Sequence, residues 1–275
     1  MKKTFLKHKT AILFALAAVL LLASTAGNTQ AALTYYSENY SATVTVSNIG
    51  VTLLENGKEV SRRNYLEDGK WDDTNVGTLL ANMLDPEGTG TKEALVLGKA
   101  YTEEISVKNS GSIDIYVRVI LTRSWQDAEG VKDPTLSPEL IELATVTTEE
   151  SGWVIDETAS TPERTVLYYT KVLPAYSEEN PDAVITTPAL TSTLKINPAI
   201  GTKFIETKDV RVEDGKTYTD ITYEYEYDGY SFAVEAEVDA VQTHNAKDAI
   251  KSAWGVDVNV AEDGTISLAA PAVQE

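Results

Sequence analysis

The chain has 275 residues, 23 Lys and Arg against 42 Asp and Glu, a formal charge of −19, two histidines and no cysteine. Such an acidic balance excludes nucleic acid and anionic lipid as partners, because both need a basic footprint. Without cysteine there is no disulfide, no thiolate nucleophile and no cysteine-ligated zinc, and two histidines cannot build an HExxH site in the exported chain, where only His244 remains.

The first residues read as an export signal. Lys2, Lys3, Lys7 and Lys9 precede an apolar run from Ala11 to Ala23, and small residues lead to Ala31 and Ala32. Thirteen apolar residues, 11 to 23, fall short of the roughly 20 that a spanning helix needs. The expectation is a signal peptide over residues 1–31, cut after Ala31 or Ala32, and a secreted domain over 32–275 that leaves the membrane. Removing four lysines and no acid takes the charge to 19 minus 42, or −23.

The remainder reads as all-β, with short runs of period-two alternation between clusters of Asn, Gly, Asp, Pro and Ser. Ser41–Leu54 is the first strand-like run, with Val44, Val46, Val51 and Leu53 interrupted at Asn48–Gly50. Leu79, Leu80, Met83 and Leu84 fall at helical spacing and predict a short helix. Tyr101–Ser124 predicts a hairpin about Asn109–Ser112. Its second strand turns Ile113, Ile115, Val117, Val119 and Leu121 to one face and Tyr116, Arg118 and Ile120 to the other. Arg118 is expected to pair with an acid on an outer sheet face.

Residues 126–164 read as a looser insertion with a short helix at Pro138–Leu143 and a strand at Gly152–Ile155. Thr165–Leu173 is a further strand. Prolines 174, 181, 188 and 198 suggest loops and edge strands up to Pro198.

Ile221–Tyr227 and Tyr230–Val238 alternate on either side of Asp228-Gly229, which predicts a type I′ hairpin pairing Tyr227 with Tyr230, Tyr225 with Phe232 and Tyr223 with Val234. The row Tyr223, Tyr225, Tyr227 and Tyr230 is then either a ligand-contact surface or ordinary cross-strand packing. Glu224, Glu226, Glu235 and Glu237 would share the opposite face, relieved by solvation or by a divalent ion such as calcium. No other cofactor is indicated. Ala246, Ala249, Ile250, Ala253 and Trp254 form one amphipathic helix behind Asn245, ended by Gly255, with His244 beside it as a structural residue. Val256–Val260 and Ile266–Leu268 predict a last hairpin.

Several of these stretches, in order, resemble the TasA/camelysin-like exported proteins of Gram-positive bacteria. They are Ala31–Glu38 with Tyr40–Val44 and Val51–Leu53; Leu97–Tyr101 with Ile105–Ser112 and Tyr116–Val119; Tyr168–Leu173; and Glu237–Gln242. Leu33 and Ser37-Glu38 depart from the aromatic and Asp usual near that family's cleavage site. The resemblance implies a jelly-roll-like β-sandwich with one or two short peripheral helices. It also implies a role as a subunit or accessory of an extracellular biofilm-matrix or surface fibre. The partner is then the protein itself or a related matrix protein, reached by donor-strand addition from Thr34–Leu54, with Thr34, Val44, Val46, Val51 and Leu53 as the donor residues. A peptidase label borne by some relatives does not carry over, and no enzyme activity is expected. The competing reading is a monomeric extracellular module that binds carbohydrate, a host protein or calcium through Tyr218–Phe232.

Overall fold

The computed structural model describes residues 48–65, 70–75, 79–80, 83–84 and 93–269. The expected signal peptide, its expected cleavage site at Ala31 or Ala32, and the expected donor residues Thr34, Val44 and Val46 lie outside them. The fold is all-β and sandwich-like. Its elements are β1 (Gly50–Glu55), β2 (Lys58–Tyr65), β3 (Trp71–Asn75), β4 (Ala100–Thr102), β5 (Ile105–Asn109), β6 (Ile115–Gln126), β7 (Ile141–Thr145), β8 (Trp153–Ile155), β9 (Arg164–Leu173), β10 (Thr191–Ile196), β11 (Phe204–Glu213), β12 (Lys216–Tyr225), β13 (Ser231–Gln242), the helix α1 (Ala246–Trp254), β14 (Val258–Val260) and β15 (Ile266–Leu268).

Two four-stranded antiparallel sheets face each other, one in the order β3-β2-β1-β5 and the other β13-β6-β9-β8. The small sheet β4-β10-β7 continues the first beyond β5, joined through backbone bonds from Thr187 to Val107, Leu190 to Ile105 and Glu103 to Ser192. Between the layers, Leu53, Ile105, Val107, Ile115, Val117, Val119, Leu121, Trp153, Leu167 and Leu190 form the main core. The opposite side of β6 and β9 is covered as well. Tyr116, Ile120, Val166 and Tyr168 pack beneath Ala246, Ile250 and Trp254 of α1 and beneath Val258 and Ile266 of the β14–β15 hairpin. The central sheet is thus buried on both faces near α1.

The expected helix at 246–254 and the last hairpin are both present. Asn245 precedes the helix in a left-handed conformation and makes no side-chain cap, while Gly255 closes the helix at φ 76°. Arg118 pairs with its cross-strand neighbour Asp239 at 2.5 Å and lies 5.5 Å from the Trp254 ring centroid, as the alternation predicts.

Four expectations fail, each for a physical reason. The Asn109–Ser112 turn does not join a hairpin: β5 pairs with β1, whereas β6 pairs with β13 and β9. The segment crosses from one sheet to the other, so Ile105 and Val107 face Ile115 and Val117 across the core rather than beside them in one sheet. Alternation is identical in both arrangements. The crossover is held by Asn109, whose amide donates to the Ile113 and Leu173 carbonyls, and by hydrogen bonds of Ser110 and Ser112 to Gly50 and Asn48.

At the described positions 79–80 and 83–84 there are turns and no helix. Leu80 has φ 66°, outside the helical region, and its N–H donates to Glu55 Oε1 at 2.6 Å. The proline-rich stretch supplies a central strand, β10, between β4 and β7, with Pro188 and Pro198 just outside it. The looser insertion contributes β7 and β8, and Ile141 and Trp153 are fully buried; its helix is one 3-10 turn over Pro138–Leu140.

The crossover supplies a stability test. A Cβ on Gly111 would lie 2.3 Å from the Asn48 carbonyl oxygen and 2.5 Å from the Gly50 nitrogen, both backbone atoms that cannot swing aside. Gly111→Ala should therefore cost about 2 kcal/mol or more in denaturant unfolding. An unchanged unfolding midpoint would mean that the crossover does not constrain the fold.

Candidate assembly surfaces and a buried carboxyl pair

The predicted tyrosine hairpin is a further correction, and it reorganises the candidate site. The chain has two Asp-Gly pairs in this region. At Asp214-Gly215 both residues have positive φ, 52° and 74°, which is the type I′ requirement, and β11 pairs there with β12 over ten residues. At Asp228-Gly229 only the glycine is left-handed, at 78°. The chain turns there without forming a hairpin, because β13 takes β6 as its partner along all twelve of its residues. Tyr225 consequently faces Phe204, Tyr223 faces Glu206, Phe232 faces Trp125 and Val234 faces Arg123.

The tyrosine row is divided. Tyr223 and Tyr225 are exposed on the β11–β12 ribbon. Tyr227 is half-buried against Trp125, with ring centroids 4.8 Å apart, and Tyr230 donates its hydroxyl hydrogen to Asp133 at 2.9 Å. The four glutamates are likewise divided: Glu224 is on β12, Glu226 follows it, and Glu235 and Glu237 are together on β13. Among the described residues no group of three or more His, Cys, Asp or Glu side chains could hold a metal ion.

Two surfaces stand out. The first is the seam where the central sheet ends. β13 is twelve residues long, and among the described residues no backbone hydrogen bond reaches its outer edge. The opposite edge of the same sheet is β8, only three residues long. Beside β13 a groove of about 310 Å³ is lined by Val51, Leu53, Ala236 and Val238 together with Ser61, Arg62 and Arg63. Val51 and Leu53, expected in a donated strand, belong instead to β1, which is hydrogen-bonded on both sides to β2 and β5. They help form the groove and are not free to leave it.

The second surface is the β11–β12 ribbon. All twenty of its strand residues are exposed. The sequence reading missed β11, although Phe204, Val210 and Val212 share one parity ahead of Asp214-Gly215.

The sequence also gave no sign of a pair of acids that the fold brings together. Glu103, at the bend between β4 and β5, is 0% exposed, and among the described residues neither of its carboxyl oxygens has a donor within hydrogen-bonding geometry. Its neighbour is Glu55, itself 5% exposed. Glu55 lines a cavity of about 480 Å³ with Met83, Lys99 and Tyr101. Burial first, and then the adjacent Glu55 charge, push Glu103 up to about 9. Two carboxylates cannot donate to one another, so one must carry a proton in the folded state.

No protein-family model, curated protein or solved structure matches the chain. Among the described residues no helix is long and apolar enough to cross a membrane.

The carboxyl pair has a signed consequence. An acid whose folded pKa lies above its unfolded value, here about 9 against 4.5, stabilises the fold fully below the unfolded value. That contribution is lost progressively as pH rises towards the folded one. Glu103→Gln should therefore leave the melting temperature near wild type at pH 4 and raise it at pH 8. A shift of roughly 4–8 °C corresponds to about 2 kcal/mol in a domain of this size. A variant less stable than wild type at pH 8 would show that the buried carboxylate is ionised and satisfied.

Proposed function

We propose that the chain is a secreted structural protein, a subunit or accessory of an extracellular matrix or surface fibre, which assembles by strand addition. The observation that carries this reading is the twelve-residue edge of β13, unpaired among the described residues, beside the groove lined by Val51, Leu53, Ala236 and Val238 with Ser61, Arg62 and Arg63. An edge strand offers a row of N–H and C=O groups that an added strand satisfies, while a groove accepts alternate side chains of the incoming segment. Long edges are a hazard that proteins ordinarily blunt, so one of this length beside such a groove suits a surface meant to be covered.

The donor in this account is the segment that follows the export signal, residues 34–47, supplied to β13 of the next subunit. Its alternation at Ala42, Val44 and Val46 puts three apolar side chains on one face, which can meet Val51, Leu53, Ala236 and Val238 of the groove. The resemblance to TasA/camelysin-like proteins supports the same assignment and the location outside the cell. Because β1 is committed to its own sheet, the donor is shorter than Thr34–Leu54.

The test is growth. The chain beginning at Ala32 should form filaments over days by light scattering, and deletion of residues 34–46 should leave monomers. A synthetic peptide of residues 34–47 should raise the melting temperature of the truncated protein, since a ligand that binds only the folded state stabilises it. Filaments from the truncated chain would end the donor-strand account. A full-length protein that stays monomeric under every condition would favour the binding-module reading.

A further inference from the structure

The β11–β12 ribbon has two unlike faces. Cross-strand partners share a face in an antiparallel pair, so the register places Phe204, Val210, Val212, Ile221, Tyr223 and Tyr225 together. Ring contacts agree: Phe204 lies 5.0 Å from Tyr223 and 6.0 Å from Tyr225, both edge-on. These six side chains are between 43% and 70% exposed. The other face is charged. Asp209 stands opposite Asp220, Arg211 bridges to Asp220 at 3.1 Å, and Glu213, Lys216 and Glu224 lie on it too, beside the exposed Ile205 and Tyr218.

An antiparallel pair with one apolar and one charged face has the pattern of a sheet that buries one side. An isolated two-stranded ribbon is also at best marginally stable in water. The apolar face therefore calls for a cover.

The geometry points to a second copy of this chain as that cover, with the apolar faces of two β11–β12 ribbons packed against each other about a two-fold axis. Charge selects this occupant. The chain as a whole is −19, so most pairs of its surfaces repel. On the apolar face the only ionised groups are Glu206 and Lys208, joined at 2.5 Å, and they sum to zero. Two such faces meet without bringing like charge together. A twofold axis also lets Glu206 of each copy approach Lys208 of the other.

The ten-residue strands make the face about 30 Å long. Two copies bury on the order of 1,000 Å², the low end of specific contacts. The contact is thus weak and reversible alone, and useful where many subunits present it at once. The inference deepens the assembly reading by adding a contact that does not use the donor segment, and it stands or falls separately.

The absence of cysteine makes the test direct. Thr219 lies on the apolar face opposite Val210, and Thr222 on the charged face opposite Thr207. Under mild oxidation of the mature chain, Thr219→Cys should give a disulfide-linked dimer at least about tenfold faster than Thr222→Cys. Sedimentation at high micromolar concentration should show a reversible wild-type dimer that Val210→Glu with Ile221→Glu weakens by at least about tenfold. Circular dichroism checks that this variant keeps the fold, as both positions are exposed. Equal cross-linking at 219 and 222, a dimer indifferent to the double substitution, or a wild-type chain that stays monomeric in sedimentation would overturn the ribbon contact. Filament growth is read separately. Filaments from the double variant leave the donor-strand function standing without this contact. A ribbon dimer from a chain that never forms filaments leaves the contact standing without that function.

Discussion

Burial of both faces of β6 is the constraint on which the rest depends. Ile115, Val117, Val119 and Leu121 fill the space between the two sheets, while Tyr116 and Ile120 on the reverse lie beneath α1 and the β14–β15 hairpin. A strand with no solvent face must be interior in its sheet, and β9 and β13 take its two sides. The one charged residue on the reverse face near α1, Arg118, is accommodated by Asp239 across the ladder and by the Trp254 ring. A partly buried charge with a hydrogen-bonded partner is tolerated; alone it would be costly. Placing β13 at the margin follows from the same constraint, and with it the long open edge.

The two candidate surfaces expose β-structure in different ways. Among the described residues the backbone edge of β13 is open, and the adjoining side chains form a groove. On the ribbon an entire apolar face is presented. Glu235 and Glu237 stand exposed on β13, and charges of this kind discourage indiscriminate pairing without removing the hydrogen-bonding groups. The large negative charge of the chain works in the same direction, since copies of the chain repel at low ionic strength and less as salt screens them. On the proposed reading, specific contact falls to the groove beside β13, where Arg62 and Arg63 are positive in an acidic chain, and to the ribbon face on which Glu206 and Lys208 sum to zero.

Much of the fold was legible in the residues, because alternation and capping are local. The parity of Ile115 to Leu121, the Arg118 pairing, the stripe on 246–254 and the last hairpin all follow from neighbours within a few positions. What stayed hidden depends on partner choice. Alternation does not say whether Asn109–Ser112 turns within a sheet or between sheets, and two Asp-Gly pairs compete for one hairpin. The winner was Asp214-Gly215, where the aspartate itself adopts positive φ; β13 was drawn away by the larger burial available along β6. The tyrosine row was visible as a row but not as residues of two surfaces. Glu55 and Glu103, 48 positions apart in the chain, carry no local signature at all.

The central claim is that assembly pairs the outer edge of β13. Hydrogen–deuterium exchange, compared between monomer and filament, addresses it strand by strand. The account predicts that amides of residues 231–242 become at least about tenfold more protected in the filament, as new ladder bonds form. Amides of the short edge strand at 153–155 should not change. Filaments in which 231–242 exchange as fast as in the monomer would contradict it.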